Sequence, residues 1–242
     1  MSNILLNADS YKASHFLQYL ANTSIVSSYI ESRGGVFDAT LFFGLQTFIK
    51  QTLLKPFNQA DIDEADELLA AHGVPFNKAG WQYILDTYNG YLPLEIQAVP
   101  EGSVVATHNV LVQVQNTDAN CAWLSSYIET ALLRAVWYPT TVATVSYQCK
   151  QVIARYLAAT ADSMDGLLFK LHDFGARGAS SEETAALGGM AYLVNFMGSD
   201  TVNAIVAARR YYQEPMAGFS IPAAEHSTIT SWGRDGEKDA YA

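Results

Sequence analysis

Cysteine, charge and basic residues are all scarce in this chain, and each shortage excludes something. Cys121 and Cys149 are its two cysteines. They are too few for a disulfide framework and lack metal-ligand spacing, so they read as buried free thiols. Charged residues make up 16% and hydrophobic ones 50% of the 242 residues, a balance that supports a sizeable core and argues against disorder. Lys and Arg number 14 against 24 Asp and Glu, for a net charge of −10. So acidic a chain fits broad nucleic-acid binding poorly, while a local basic pocket for a phosphorylated ligand stays open. No apolar run approaches the ~18 residues of a membrane span, and no basic segment leads into an apolar one at the amino terminus. The expectation is a soluble cytoplasmic protein without a membrane partner, of one large domain or two small ones.

Taken in order, Ile4-Leu-Leu6 leads into Asn7-Ala-Asp-Ser-Tyr-Lys-Ala-Ser-His15. Asp9 or Ser10 is a candidate cap for a short helix, which would put Tyr11 and His15 one turn apart on one face. Spacing alone leaves Tyr11 a packing residue. Ser24 to Glu31 has a strand composition, and Arg33-Gly34-Gly35 after it is either an ordinary loop or a phosphate holder. Leu41 to Leu54 has helical spacing that ends before Pro56. Asn58 to Ala71 predicts an amphipathic helix with Ile62, Ala65, Leu68 and Leu69 inward and its acidic residues on a solvated face. Lys78 to Tyr88 predicts another. Leu94 to Val99 and Val110 to Gln115 alternate like antiparallel strands of an α+β region, with His108 between them. Ala122 to Val136 and Val142 to Thr160 read as two helices split at Tyr138-Pro139. The polar connector Asp162 to Gly166 suggests a boundary between domains 1–165 and 166–242.

Chemical specificity concentrates in Leu167-Leu-Phe-Lys-Leu-His-Asp-Phe-Gly-Ala-Arg-Gly-Ala-Ser-Ser181. Apolar residues suited to a buried strand give way to a turn with Gly175, Arg177 and Gly178. Ser180 then stands three residues before Glu183, as in a capping box. The pattern recurs as Tyr192 to Phe196 running into Gly198-Ser-Asp200, and as Gly218 to Ile221 running into Ala224-Glu-His226-Ser227. The strand-like runs start about 25 residues apart, the length of one βα unit in a barrel, where function gathers at the strand ends. Arg177, Asp200 and His226 therefore read as one site. Each has a plainer alternative: an ion pair for Arg177, a helix cap before Thr201 for Asp200, a satisfied lone histidine for His226.

Several motifs, in order along the chain, resemble the nicotinamide phosphoribosyltransferase family: Asp9-Ser-Tyr-Lys12, Gly44-Leu-Gln46, Leu92-Pro-Leu-Glu-Ile96, Ala98-Val-Pro-Glu-Gly102, Trp137-Tyr-Pro139, Val142-Ala-Thr144, Lys170-Leu-His-Asp-Phe-Gly175, Leu193-Val-Asn-Phe196 and Pro222 to Ile229. The resemblance runs from about Asn3 to the last residue. It implies an enzyme of NAD salvage that makes nicotinamide mononucleotide and pyrophosphate from nicotinamide and phosphoribosyl pyrophosphate. It also implies a homodimer with the active site at the subunit interface. The implied fold class is α/β with an α+β N-terminal region and an incomplete irregular (β/α) barrel of the type II phosphoribosyltransferase kind.

By the same resemblance, Phe174 stacks on the pyridine ring and Tyr11 is a second aromatic reaching in from the other subunit. Arg177 donates to the carboxamide oxygen, Asp200 accepts from the carboxamide nitrogen, and Ser220 is a further substrate-binding residue. A carboxylate opposite the amide gains a charge-assisted hydrogen bond, whereas nicotinate would bring like charges together. His226 resembles the histidine that ATP phosphorylates, and Arg33 an arginine at the phosphate end of the site. Family members are roughly twice this long. The groups for Mg²⁺ and most of the phosphoribosyl pocket are therefore expected outside this chain, on a continuation or a separate C-terminal half, and the chain alone is expected to make no product. The alternatives are a non-catalytic nicotinamide-binding or dimerisation fragment and a nicotinate-specific relative.

Overall fold

The computed structural model describes residues 3–242. Ser10–Leu17 winds as a 3-10 segment where a short helix was expected. Asp9 precedes it without capping it; the carboxylate accepts instead from Thr130 Oγ1 at 2.7 Å. Strands β1 (Ser27–Glu31) and β2 (Ala39–Leu41) lead into α1 (Leu45–Phe48), which continues as a π-turn over Ile49–Leu53. The helix expected from Leu41 starts only at Leu45, because Leu41 is taken up in β2 and Gly44, at φ 112°, turns the chain.

Helix α2 (Gln59–His72) opens on a capping box: Asn58 accepts from the amides of Ala60 and Asp61, and the Asp61 carboxylate accepts from the Asn58 amide. Ile62, Ala65 and Leu69 face the core as expected, whereas Leu68 is exposed, lying beside that i, i+3, i+7 stripe. After α3 (Lys78–Tyr88) come β3 (Leu94–Ala98), β4 (Val104–Ala106) and β5 (Val110–Asn116). β5 is central to an antiparallel sheet ordered β1-β5-β3, and β4, which the sequence pattern did not suggest, pairs antiparallel with β2.

Helix α4 (Leu124–Tyr127) precedes α5 (Glu129–Thr160), which runs unbroken through Pro139. The expected split does not occur. Proline leaves the Ala135 carbonyl without its helical donor, and its ring needs space. Gly44 supplies that space: a Cβ there would lie 2.3 Å from Pro139 Cγ and 2.8 Å from the Ala135 oxygen. Next to this contact, the hydroxyls of Thr140 and Thr144 accept from the amides of Phe43 (3.2 Å) and Leu41 (2.9 Å), fastening the β2 segment along the helix.

Three apolar clusters result. One centres on Trp81 between α2, α3, α4 and the amino-terminal 3-10 turns. A second lies between the sheet, α1 and the start of α5. The third joins Leu41, Phe43 and Ala143 to the helices that follow α5.

Those later elements are β6 (His172–Asp173), α6 (Glu182–Leu193), β7 (Gly198–Ser199), α7 (Val202–Ala207), α8 (His226–Thr230) and α9 (Gly233–Ala240). β6 pairs in parallel with β7, and Gly198 also bridges Phe219 in parallel. The expected long strands shrink to these short ones. Leu167–Phe169 is a 3-10 turn, and Tyr192 and Leu193 close α6. Apolar runs this short suit a buried helix end as well as a strand: Phe196 is fully buried, and Tyr192 donates its hydroxyl to the Leu171 carbonyl at 2.5 Å. The α6 cap is Ser181, whose Oγ accepts from the Thr184 amide, in place of a Ser180–Glu183 box. Cys121 is buried, and burial pushes its thiol up to about 12, while Cys149 is only half-buried. Among the described residues no helix is long and apolar enough to cross a membrane.

Candidate active site

Parallel pairing sets the site. With His172 opposite Gly198 and Asp173 opposite Ser199, the next residues on each strand, Phe174 and Asp200, leave the sheet at the same end. The Gly198–Phe219 bridge brings Ser220 there as well. Asp200 is the hub: Oδ1 accepts from Ser220 Oγ at 2.5 Å and Oδ2 lies 2.6 Å from His172 Nε2. The Ser220 hydroxyl first, and His172 second, hold the Asp200 carboxyl below its ordinary value of 3.8, against a smaller opposing effect of burial. It is therefore an anion at neutral pH. The helix-cap alternative fails, because Thr201 occupies the position before α7 and no Asp200 cap bond forms.

Phe174 is 53% exposed, with one face against the His172 ring at 4.4 Å between centroids. Arg177 lies in the 3-10 turn Gly175–Gly178 immediately after it, exposed and without an ion pair among the described residues, so the structural ion pair is absent. Asp173 fixes the base of this turn: Oδ1 accepts from the Gly175 amide at 2.8 Å and Oδ2 from Ser199 Oγ at 3.3 Å. The arrangement offers an open aromatic face beside an anchored carboxylate, with a free guanidinium on the adjoining turn. Such a site suits a flat ring bearing a hydrogen-bond donor and an acceptor.

His172 was missed as a site residue although it stands within the quoted His-Asp-Phe-Gly motif. The signal was available: it lies two residues before Phe174, and alternation in a strand puts such residues on one face.

Comparison with known proteins gives this geometry its context. Residues 3–96 match the family model described as nicotinamide phosphoribosyltransferase, N-terminal domain, and residues 169–242 match that of the nicotinate phosphoribosyltransferase (NAPRTase) family. Over all of this chain and 52% of its own length, a nicotinamide phosphoribosyltransferase of Xanthomonas campestris pv. campestris is 60% identical. Along its whole length the chain is thus similar to part of a nicotinamide phosphoribosyltransferase. That of Acinetobacter baylyi is 33% identical over 98% of this chain and 50% of its own. The chain thus spans about half the length of these curated relatives. Human nicotinic acid phosphoribosyltransferase superposes with a TM-score of 0.64 over 92% of this chain and 40% of its own, at 21% identity. The nicotinate-nucleotide pyrophosphorylase from Pyrococcus furiosus does so at 0.54 over 96% and 45%, at 16% identity. These two likenesses concern the mixed α/β fold alone.

Of the other residues singled out from the nicotinamide phosphoribosyltransferase motifs, none joins the Asp200 cluster directly. Tyr11 is 55% exposed, pairs with His15 at 5.4 Å, and has the buried Lys12 ammonium 5.7 Å from its ring centre. Lys12 is in turn held by Glu129 and Ser126. His226 opens α8, exposed, and its ring makes no hydrogen bond among the described residues. Arg33 is exposed on the rim of a cavity of about 450 Å³ whose lining includes Val36, Trp137 and Val145. Among the described residues no group of three or more His, Cys, Asp and Glu side chains could hold a metal ion.

Proposed function

We propose that this chain is the nicotinamide-recognising half of a nicotinamide phosphoribosyltransferase, a pentosyltransferase of NAD salvage. The observation that carries this reading is Asp200: an ionised carboxylate fixed at a strand end beside an open aromatic face. The pyridine ring lies on Phe174, where aromatic pairing adds about 0.5–1.5 kcal/mol beyond burial. Arg177 donates to the carboxamide oxygen, and Asp200 accepts from its NH₂. The carboxylate of nicotinate in that place would face Asp200 charge to charge. Tyr11 closes the other face from a second subunit of a homodimer.

In the reaction the ring nitrogen bonds to C1′ of phosphoribosyl pyrophosphate and the C1′–oxygen bond to pyrophosphate breaks. The transition state is oxocarbenium-like, so alignment of the two reactants and cations around the leaving group lower the barrier. Arg33 serves the phosphate end. His226 takes the γ-phosphoryl group of ATP, a nitrogen–phosphorus bond forming as the bond to the ADP oxygen breaks, and later transfer of that group to water couples ATP hydrolysis to substrate binding. The Mg²⁺ that the reaction would use is assigned to ligands of the C-terminal half, since no group of three or more His, Cys, Asp and Glu side chains that could hold a metal ion gathers among the described residues. Residues 1–165 form the α+β domain and 166–242 the first units of an irregular barrel, with the remaining phosphoribosyl contacts supplied by a C-terminal half. A cytoplasmic location completes the proposal.

The match of residues 169–242 to the nicotinate family model favours a second reading, a nicotinate-specific transferase. One experiment separates the two. With the C-terminal half supplied by fusion or in trans, kcat/KM is measured for nicotinamide and nicotinate. Nicotinamide is the preferred substrate, and Asp200→Asn lowers that preference by ~10-fold or more, as loss of a charge-assisted hydrogen bond requires. An unchanged ratio removes Asp200 from base recognition.

A further inference from the structure

We infer that His172 is the positioning residue of the base site, fixing the Asp200 carboxylate and the Phe174 ring relative to one another. The inference rests on the reading of Asp200 and Phe174 given above.

A carboxylate has about four acceptor positions, two on each oxygen. Ser220 fills one on Oδ1 and His172 one on Oδ2, so the side chain is pinned through both oxygens and cannot rotate about its last bond without losing one of them. The positions that remain have fixed directions. A ligand amide then meets a carboxylate already oriented, which spares the ordering cost of binding.

The imidazole is itself clamped. Its side chain is 14% exposed, against 34% for Asp200. One face lies on Phe174, at 4.4 Å and 36°. The residue opposite is Gly198, where a Cβ would come within 2.7 Å of His172 Nδ1. Nδ1 has no hydrogen-bond partner among the described residues, whereas the Asp200 carboxylate can only accept, so Nε2 carries a proton directed at it. One rigid ring therefore touches both recognition elements without standing among the reacting atoms.

Two substitutions separate its two contacts. His172→Phe keeps a ring beside Phe174 and removes the donor. His172→Gln keeps an amide donor near the place of Nε2 and removes the ring. In the full-length assay described above, His172→Phe should lower the preference for nicotinamide over nicotinate by ~3- to 10-fold, with KM for nicotinamide rising more than kcat falls. His172→Gln should hold the preference within ~2-fold and raise KM for both bases, since stacking serves both alike. Wild-type selectivity and KM in both variants would overturn the inference. So would equal losses in both that track a fall in Tm, the mark of a merely structural residue.

If His172→Phe does not fold, ring ¹⁵N shifts decide. An Nε2–H tautomer whose signal changes in Asp200→Asn supports the inference, and an Nδ1–H tautomer overturns it. Asp200→Asn also separates the two levels of the argument. If it leaves selectivity unchanged, the functional reading fails. If it shifts selectivity and His172→Phe does not, only the role of His172 fails.

Discussion

Around Trp81, Phe57, Trp123 and Tyr127 stand edge-on at 5.4, 4.9 and 5.0 Å to an indole that is 1% exposed. Around Asp200, a serine and a histidine converge on a carboxylate that is one-third open to solvent, with a phenyl ring against the histidine. The first arrangement draws its energy from apolar area and tolerates a polar defect: the Trp81 Nε1–H is buried without a partner among the described residues. The second gains little stability from polar contacts this open to water, and what it has is direction. One region holds the chain folded, and the other holds a few atoms in place for a ligand.

The comparison is broken most directly at Trp81. Trp81→Ala should cost about 3–5 kcal/mol in urea or thermal unfolding, the usual range for emptying a large aromatic site. Asp200→Asn should leave the unfolding midpoint near wild type at neutral pH while altering base selectivity. Comparable destabilisation by the two would mean that the regions do not differ as described.

A smaller effect is expected at the junction between them. Thr144→Val preserves shape but leaves the Leu41 amide without its acceptor, so unfolding should be easier by about 1–3 kcal/mol. The smallest concerns pH. Because the folded state holds the Asp200 pKa below 3.8, its stabilising effect is complete above that value and is lost as pH falls through the lower, folded-state pKa. The difference in Tm between wild type and Asp200→Asn should therefore be constant above about pH 5 and shrink only in stronger acid. A change near neutrality would show that another group governs the cluster.

Legibility from sequence divides along the same line. Helices with a clear stripe and cap, α2 and α3, and the alternating strands β3 and β5, lie within a residue or two of their expected bounds. Local pattern was enough because a local stripe fixes them. Pro139 misled because the space that lets the helix continue comes from Gly44, far away in the chain. Tyr192 to Phe196 misled because a short apolar run does not report its own period. At the site, motif resemblance singled out Phe174, Asp200 and Ser220, which do lie together, but the bond from His172 to Asp200 depends on strand register, which no local pattern encodes.

The threonines of α5 have a consequence for association. β4 takes up one side of β2, and the opposite amides, those of Leu41 and Phe43, donate to side chains of a helix. A foreign strand arriving at that side would find its hydrogen-bond donors occupied and the approach covered by α5. Edge strands invite pairing with other chains when their backbone groups are free, and covering them with a helix is one way of preventing it. Thr140 and Thr144 therefore do for β2 what a further strand would otherwise do, while presenting nothing for yet another strand to join.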